Sequence, residues 1–184
     1  MVFFASFTRA DGRMPECGKD EPGDKHIIYR SYTKDFKSFT APEGYIEREQ
    51  SIIDTTIISD GGKYYRFSKD EVSKRLILEV GESLDRDAFS PVHSDILASL
   101  YGLEGPECYR LPDGRWCLIA DRFAEHKGYL PIVIDDLSSG SMHVLDDEEY
   151  DMGSLRKRHG GVMEITEEEY ERLISHYEGR LREG

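Results

Sequence analysis

Apolar and polar positions along the chain alternate in the way that predicts short β-strands over most of its length. The run SIIDTTII at 51–58 is almost entirely apolar or β-branched, which is typical of a strand buried on both faces. The DGG turn at 60–62 and the PDG turn at 112–114 are hairpin signals, and each precedes a return strand rich in aromatic and aliphatic residues. The pattern therefore predicts antiparallel strands joined by tight turns.

Two polar markers recur at a regular interval. The first is an aspartate next to a strand-like run, at separations of 50 and 51 residues: Asp35, Asp85 and Asp136. The second is a titratable residue that begins such a run, at separations of 50 and 55 residues: Asp54, Glu104 and His159. Four short strands per interval are typical of β-propeller blades around a central channel. The alternative is a β-sandwich with evenly spaced strands, and two markers in register favour the propeller.

This repeat divides the chain into units of one incomplete propeller domain. Residues 1–50 form the remainder of a blade, 51–98 and 99–150 form two complete blades, and 151–184 form an inner strand and a C-terminal helix. Thr166 and Glu169 have the spacing of a capping box, which predicts the start of this helix. The predicted fold class is all-β, with about three and a part blades.

Length and charge restrict the function. The chain has 184 residues, enough for one domain with a core, and its formal net charge is −13. Acidic residues occur along its whole length, which argues against nucleic acid or an anionic membrane surface as a partner and leaves a neutral ligand. The N-terminal MVFFASFTRADG has only a short apolar run and no basic leader, so we expect a strand, no signal peptide and a cytoplasmic protein.

The second marker predicts a site. The first strand of a propeller blade lies nearest the channel, so Asp54, Glu104 and His159 are expected to meet at one end of it. Two carboxylates and an imidazole in one pocket are suited to general acid–base chemistry. A neighbouring Asp54 is expected to raise the pKa of Glu104 by repulsion between like charges, which would keep it protonated. Taken singly, each residue could instead bond to the backbone of a turn or strand.

Three motifs resemble consecutive inner-strand motifs of family 43 glycoside hydrolases: IDTTIISDGGKYYRFSKDE, EGPECYRLPDGRWCLIAD followed by GYLPI, and RHGGVMEITEEEY. The resemblance extends from the N-terminus to about residue 173. Members of that family are five-bladed β-propellers that cleave arabinofuranosides, xylosides and related galactosides with inversion at the anomeric carbon. The resemblance thus implies a partial five-bladed propeller and a plant-type glycan or oligosaccharide as ligand.

The resemblance also implies roles for three residues. Glu104, in the EGP motif, corresponds to the general acid that protonates the leaving oxygen. Asp54, in the ID motif, corresponds to the aspartate that orients this acid and tunes its pKa. His159, in the RHG motif, corresponds to a histidine at the channel axis, beside waters or a metal ion such as calcium. Arg158 is expected to contact sugar hydroxyls because it is next to His159. The reaction itself requires no cofactor.

One departure from the family concerns the general base. In the family it is an aspartate near the N-terminus, usually in an Asp-Pro dipeptide, and this sequence contains no Asp-Pro. We therefore expect the chain alone to be weakly active or inactive. Three explanations stay open: a piece of a longer enzyme, a chain completed by another chain or a second copy, and a carbohydrate-binding or assembly module that does not cleave.

Overall fold

The computed structural model describes residues 1–8, 24–154 and 156–181 and shows three antiparallel sheets in chain order. The first sheet contains β1 (Val2–Thr8), β2 (Lys25–Ser31) and β3 (Glu43–Ile46). The second contains β4 (Ile52–Asp60), β5 (Lys63–Asp70), β6 (Arg75–Gly81) and β7 (Phe89–Val92). The third contains β8 (Glu104–Arg110), β9 (Trp116–Asp121), β10 (Tyr129–Asp136) and β11 (Ser141–Val144). Helix α1 (Asp95–Ser99) follows the second sheet, and helix α2 (Glu167–Leu181) follows the third. Because the described chain is otherwise built from these three sheets, the all-β prediction is confirmed.

Tight turns at the predicted positions join the first two strands of the second and third sheets. The DGG turn connects β4 to β5, with φ +58° at Gly61 and +79° at Gly62, values that glycine adopts without strain. The PDG turn lies between β8 and β9, and Gly114 within it has φ +89°. These glycines allow each chain reversal to be completed in a few residues.

Neighbouring sheets pack on each other through buried aliphatic and aromatic side chains. The cluster between the second and third sheets includes Phe67 and Leu118. A second cluster, which includes Ile28 and Tyr45, joins the first sheet to the second. β4 contacts β8 on one side and β1 and β2 on the other. Three meanders packed in succession are arranged like propeller blades, whereas a sandwich has two facing sheets.

The aspartate marker lies at the connection between the last two strands of each sheet. Asp35 and Asp85 lie within that connection, and Asp136 is the last residue of β10, where the connection begins. Asp35 and Asp136 each accept a hydrogen bond at 2.9 Å from the backbone N–H two residues further along. Asp85 accepts a hydrogen bond at 2.9 Å from the Ser83 hydroxyl. Short local bonds of this kind stabilise turns. The repeat in the sequence is therefore a repeat of structure.

A buried ion cluster connects the second sheet to the segment that precedes it. Arg66 of β5 and Glu79 of β6 are direct cross-strand partners, and Arg66 Nε donates to Glu79 Oε2 at 2.6 Å. Arg48, between β3 and β4, donates to the other oxygen of the same carboxylate. The Arg66 guanidinium also lies 4.0 Å from the centroid of the Phe89 ring. Arg66 and Glu79 are each only 4% exposed, so one buried carboxylate neutralises two arginines.

The segment 156–166 runs from the third sheet toward α2 in irregular conformation. No strand is assigned to these residues and no described strand pairs with them, so the inner strand of a further blade stays a prediction. Their contacts are made by side chains and single backbone groups instead: Val162 N donates to Glu107 Oε1 at 3.3 Å. The blade limits at 50, 98 and 150 stay a prediction.

Helix α2 begins with the predicted capping box. Thr166 N donates to Glu169 Oε2 at 2.9 Å, and Glu169 N donates to Thr166 Oγ1 at 3.2 Å. The apolar side chains of the helix repeat at helical spacing and stay exposed: Tyr170, Leu173, Ile174 and Tyr177. Among the helices that the structure describes, none has the length and apolar character needed to span a bilayer.

Candidate functional site

Two β-bulges at equivalent positions begin the second and third sheets. In β4 the pairing with β5 shifts after Ile53, and Asp54 has φ +49°. In β8 the pairing with β9 shifts after Glu104, and Gly105 has φ +56°. Aspartate enters this left-handed region more readily than most residues, and glycine enters it freely. Bulges re-aim side chains and are frequent next to active sites.

A hydrogen bond links the two bulges. The Gly105 N–H donates to Asp54 Oδ2 at 3.0 Å, so Asp54 holds the backbone immediately after Glu104. One ligand atom from each of Asp54, Glu104 and His159 lies within 4.8 Å of the other two. The structure thus brings together the three residues that the repeat singled out, at the adjacent ends of the second and third sheets.

Glu104 is surrounded by cationic and imidazole side chains. Lys69 Nζ, from β5, donates to Glu104 Oε2 at 2.7 Å. Glu104 Oε1 accepts from Arg158 Nη2 at 3.1 Å and lies 3.1 Å from His159 Nε2. The Lys69 side chain is 2% exposed, and its ammonium also donates to Glu71 at 3.0 Å. A buried lysine therefore bridges two carboxylates.

The pKa of Glu104 is lowered, which contradicts the rise expected from the sequence. Burial of the carboxyl raises its pKa, but hydrogen bonds from Lys69 and His159 and their charges lower it by more. Asp54 is not among the groups that set this balance. Glu104 is therefore ionised at neutral pH in the ligand-free chain.

Asp121 extends the site across the third sheet. It is the last residue of β9 and is the direct cross-strand partner of both Glu104 in β8 and Tyr129 in β10. Its buried carboxylate accepts from Arg158 Nε at 2.7 Å. The same guanidinium donates to Glu104, so Arg158 is held between two carboxylates while half of its side chain stays exposed.

His159 packs closely on the bulge at Gly105. A Cβ atom added at residue 105 would lie 3.0 Å from His159 Nδ1, so the imidazole occupies space that only a glycine leaves open. We expect Gly105→Ala to lower the free energy of unfolding by about 1–3 kcal/mol, because it combines a strained left-handed backbone with displacement of His159. Urea unfolding measures the loss.

Gly61→Ala is the matched control for this substitution. Gly61 has nearly the same φ, +58°, but no atom lies within 4 Å of the added Cβ. Its substitution should therefore show the backbone contribution alone, about 1 kcal/mol. Equal losses in the two variants would show that the contact between Gly105 and His159 has no energetic consequence.

Sequence reasoning missed Lys69 and Asp121. The only local signal is a charged residue near the end of a largely apolar strand, in KYYRFSKD and in RWCLIAD. Their partners Glu104 and Arg158 lie 35 and 37 residues away in sequence, so the pairing depends on how the sheets pack. Both residues place charge directly beside the predicted acid.

The described donors do not fit a calcium ion. Calcium takes roughly six to eight oxygen ligands, whereas Asp54, Glu104 and His159 offer two carboxylates and one imidazole. Both oxygens of Glu104 already accept hydrogen bonds, from Lys69 and from Arg158. A divalent cation would have to displace one of these donors, and the chemistry proposed below uses no metal.

Comparison with known proteins identifies the family. The sequence profile of the family 43-related group described as "Probable glycosyl hydrolase domain" matches residues 1–171. The chain belongs to this family. Its resemblance to family 43 glycoside hydrolases is thus confirmed. This family 43-related domain is also 39% identical over 75 residues to an α-L-arabinofuranosidase of Bifidobacterium longum subsp. longum.

The matched segments cover only part of these relatives. The match to the arabinofuranosidase spans 39% of this chain and 7% of that enzyme. A crystal structure from Bifidobacterium bifidum s17, assigned as an exo-beta-1,3-galactanase, aligns with a TM-score of 0.46 and 10% sequence identity. That alignment covers 86% of this family 43-related domain and 61% of the other chain.

Proposed function

We propose that this family 43-related domain binds a glycoside at the Glu104 end of its second and third sheets and that Glu104 protonates the leaving oxygen. The observation that carries the proposal is the approach of Asp54, Glu104 and His159, from three sequence units, to within 4.8 Å of one another. Membership of a glycosyl hydrolase family supports a carbohydrate ligand. The proposed substrates are glycans that contain arabinose, xylose or galactose, and the arabinofuranosidase relative favours the first.

The contacts of each residue support a distinct role. Asp54 orients Glu104 by holding the Gly105 backbone. Arg158 can offer donors to sugar hydroxyls, since it is half exposed and Asp121 fixes its inner side. His159 lies against Glu104 Oε1 at 3.1 Å and would contact the ligand beside it. These roles need the side chains that are present and no bound ion.

Glu104 must carry a proton before it can donate one. Its lowered pKa makes the protonated form scarce at neutral pH in the free chain. A ligand that draws Lys69 away from the carboxylate would raise the pKa, because the effect of burial would then prevail. We therefore propose that Glu104 acts as an acid in the glycan complex or at acidic pH.

The base that activates water is proposed to come from outside the described residues. In inverting glycosidases the two carboxyl groups lie about 6.5–9.5 Å apart, with the water between them. Asp54 approaches Glu104 to within 4.8 Å, which leaves too little room for that water. Asp121 is engaged by Arg158. The chain alone should therefore hydrolyse glycosides only weakly.

A carbohydrate-binding module that does not cleave its ligand is the second candidate. The ion pair between Lys69 and Glu104 favours this function, because it holds the carboxylate ionised. An ionised carboxylate only accepts hydrogen bonds, and sugar hydroxyls donate them. Under this alternative the site keeps its shape without acting as an acid.

Hydrolysis and binding assays separate the two candidates. We expect weak hydrolysis of aryl α-L-arabinofuranosides, β-D-xylosides or β-D-galactosides by the wild-type chain, its loss in Glu104→Gln, and its retention in Glu71→Gln. Glu71 is the matched control because Lys69 donates to it as well as to Glu104, and Glu71 is not proposed to transfer a proton in the reaction. Affinity for sugar without hydrolysis in all three proteins would favour the binding module. Neither binding nor hydrolysis by the wild-type chain would contradict both candidates.

A further inference from the structure

Strand pairing in the second and third sheets resumes at equivalent positions after the two bulges. In β4 it resumes at Thr56, opposite Phe67 of β5. In β8 it resumes at Glu107, opposite Ile119 of β9. Thr56 Oγ1 donates to Glu107 Oε2 at 3.3 Å, so the two positions lie side by side. They form a second layer of polar groups, next to the layer that the bulge residues form.

The Glu107 carboxyl joins this second layer to the segment 156–166. Its Oε1 accepts a hydrogen bond from the Val162 N–H at 3.3 Å. Val162 comes three residues after His159, just as Glu107 comes three residues after Glu104. The spacing that leads from the first layer to the second is therefore the same in the segment as in β8, and one carboxyl connects the two.

The segment 156–166 depends on contacts of this kind because no described strand pairs with it. Before the site residues at 158–159, Arg156 Nη1 donates to the His126 carbonyl, between β9 and β10, at 2.8 Å. After them, the bond to Glu107 holds the backbone. The site residues thus lie between two attachments to the third sheet and its connections.

Two glycines make the second attachment important. Gly160 and Gly161 separate His159 from Val162, and glycine has more conformational freedom to lose on folding than any other residue. A hydrogen bond directly after these glycines limits the conformations open to them. Without the bond to Glu107, the backbone that carries His159 would be free to move away from the third sheet.

Both bonds of Glu107 persist whether or not its carboxyl is ionised. Burial raises the pKa of Glu107, and the hydrogen bonds from Val162 and Thr56 lower it by less. An ionised carboxylate accepts both bonds, whereas a neutral carboxyl accepts from Val162 through one oxygen and donates its O–H to the Thr56 hydroxyl. Glu107 is therefore suited to holding its neighbours without a counter-charge.

We propose that Glu107 is a positioning residue of the candidate site, which holds Arg158 and His159 against Glu104 through the backbone of Val162. Residues that contact a ligand are held in productive geometry by a supporting shell of this kind. The expected effect on sugar binding rests on the proposed function. The position of His159 does not, because it is measured in the ligand-free chain.

The resonance of the Gly105 Hα protons reports the position of His159. Three atoms of the imidazole lie 3.0–3.1 Å from the place of a Cβ at residue 105, so the ring lies against Gly105 and its ring current should shift that resonance. NMR should show this shift in the wild-type chain and in Glu107→Gln, which keeps an acceptor for Val162. The shift should be lost in Glu107→Leu, which keeps none.

Two further variants control for the change in side chain. Thr56→Val removes the bond to Glu107 Oε2, leaves the bond from Val162 in place, and should keep the shift. Glu107→Ser is polar but too short to reach Val162, and it should lose the shift as Glu107→Leu does. The result then does not depend on burying a leucine. Circular dichroism checks that each variant is folded.

Binding of an aryl α-L-arabinofuranoside gives the functional result. Glu107→Leu should raise its dissociation constant about tenfold, because Arg158 and His159 are no longer held, and Glu107→Gln should leave it unchanged. No binding by the wild-type chain would contradict the proposed function, and the Gly105 resonance would still decide whether Glu107 positions His159.

Two results would overturn the proposal. An unchanged Gly105 shift in both Glu107→Leu and Glu107→Ser would show that the ion pair between Arg158 and Asp121 holds the segment by itself. Loss of hydrolysis in Glu107→Gln with the Gly105 shift intact would show that Glu107 takes part in proton transfer and does not act through position.

Discussion

Replacing Glu79 by glutamine is expected to lower the free energy of unfolding by about 3–5 kcal/mol. The substitution keeps the volume of the side chain and removes the charge that faces Arg66 and Arg48. Arg66 is 4% exposed and cannot turn to water, so its guanidinium would stay buried without a counter-charge. Chemical denaturation of the wild-type and variant chains, monitored by tryptophan fluorescence, gives the difference.

The control for this prediction is Glu43→Gln. Arg30 and Glu43 also form an arginine–glutamate pair between neighbouring strands, with Nε and Oε1 2.7 Å apart. Glu43 is 53% exposed, however, and water can replace its interaction with the guanidinium. We expect a loss of about 0–1 kcal/mol there. Similar losses in the two variants would contradict the importance of burial for the Glu79 cluster.

Much of the fold could be predicted because it depends on local patterns that repeat. The apolar run at 51–58 and the glycine turns define hairpins within a few residues, and their recurrence gives the succession of sheets. The capping box at Thr166 is likewise local. The segment 156–166 was harder to predict, because a strand exists only where another strand pairs with it, and sequence pattern does not show whether one is near.

In the candidate site, only the residues at equivalent positions of the sequence repeat could be predicted. Asp54, Glu104 and His159 come together because equivalent positions in packed sheets meet in space. The electrostatics could not be predicted in the same way. Lys69 lies outside both series of markers, yet its ammonium reaches Glu104 from the neighbouring sheet and reverses the direction of the expected pKa shift. Asp121 was missed for the same reason, since its importance comes from Arg158.

Lys69→Met is expected to raise the pKa of Glu104. The substitution removes a hydrogen bond and a charge that stabilise the ionised carboxylate, while burial, which acts in the opposite direction, remains. Methionine can keep the stem of the side chain packed on Phe123, whose ring centroid lies 4.2 Å from the ammonium in the wild-type chain. Carboxyl-carbon NMR over a pH titration measures the midpoint, and Glu104→Gln identifies the resonance.

The same change should alter how stability depends on pH. A carboxyl whose pKa is lowered by folding contributes stability above its unfolded value of about 4.3, and this contribution disappears as the pH falls through the folded pKa. Lys69→Met should therefore lose less stability between neutral and acidic pH than the wild-type chain. If Glu104 is the acid, any hydrolysis by the variant should also extend to higher pH, because more of the carboxyl is protonated there.

Lys74→Met separates the effect of Lys69 from a general loss of positive charge. Lys74 pairs with Glu71, the second carboxylate on Lys69, and has no bond to Glu104. Its replacement removes the same charge and should leave the Glu104 midpoint close to that of the wild-type chain. An unchanged midpoint in Lys69→Met would mean that Arg158 and His159 alone hold the Glu104 carboxylate ionised. The buried lysine would then have no effect on the pKa of Glu104.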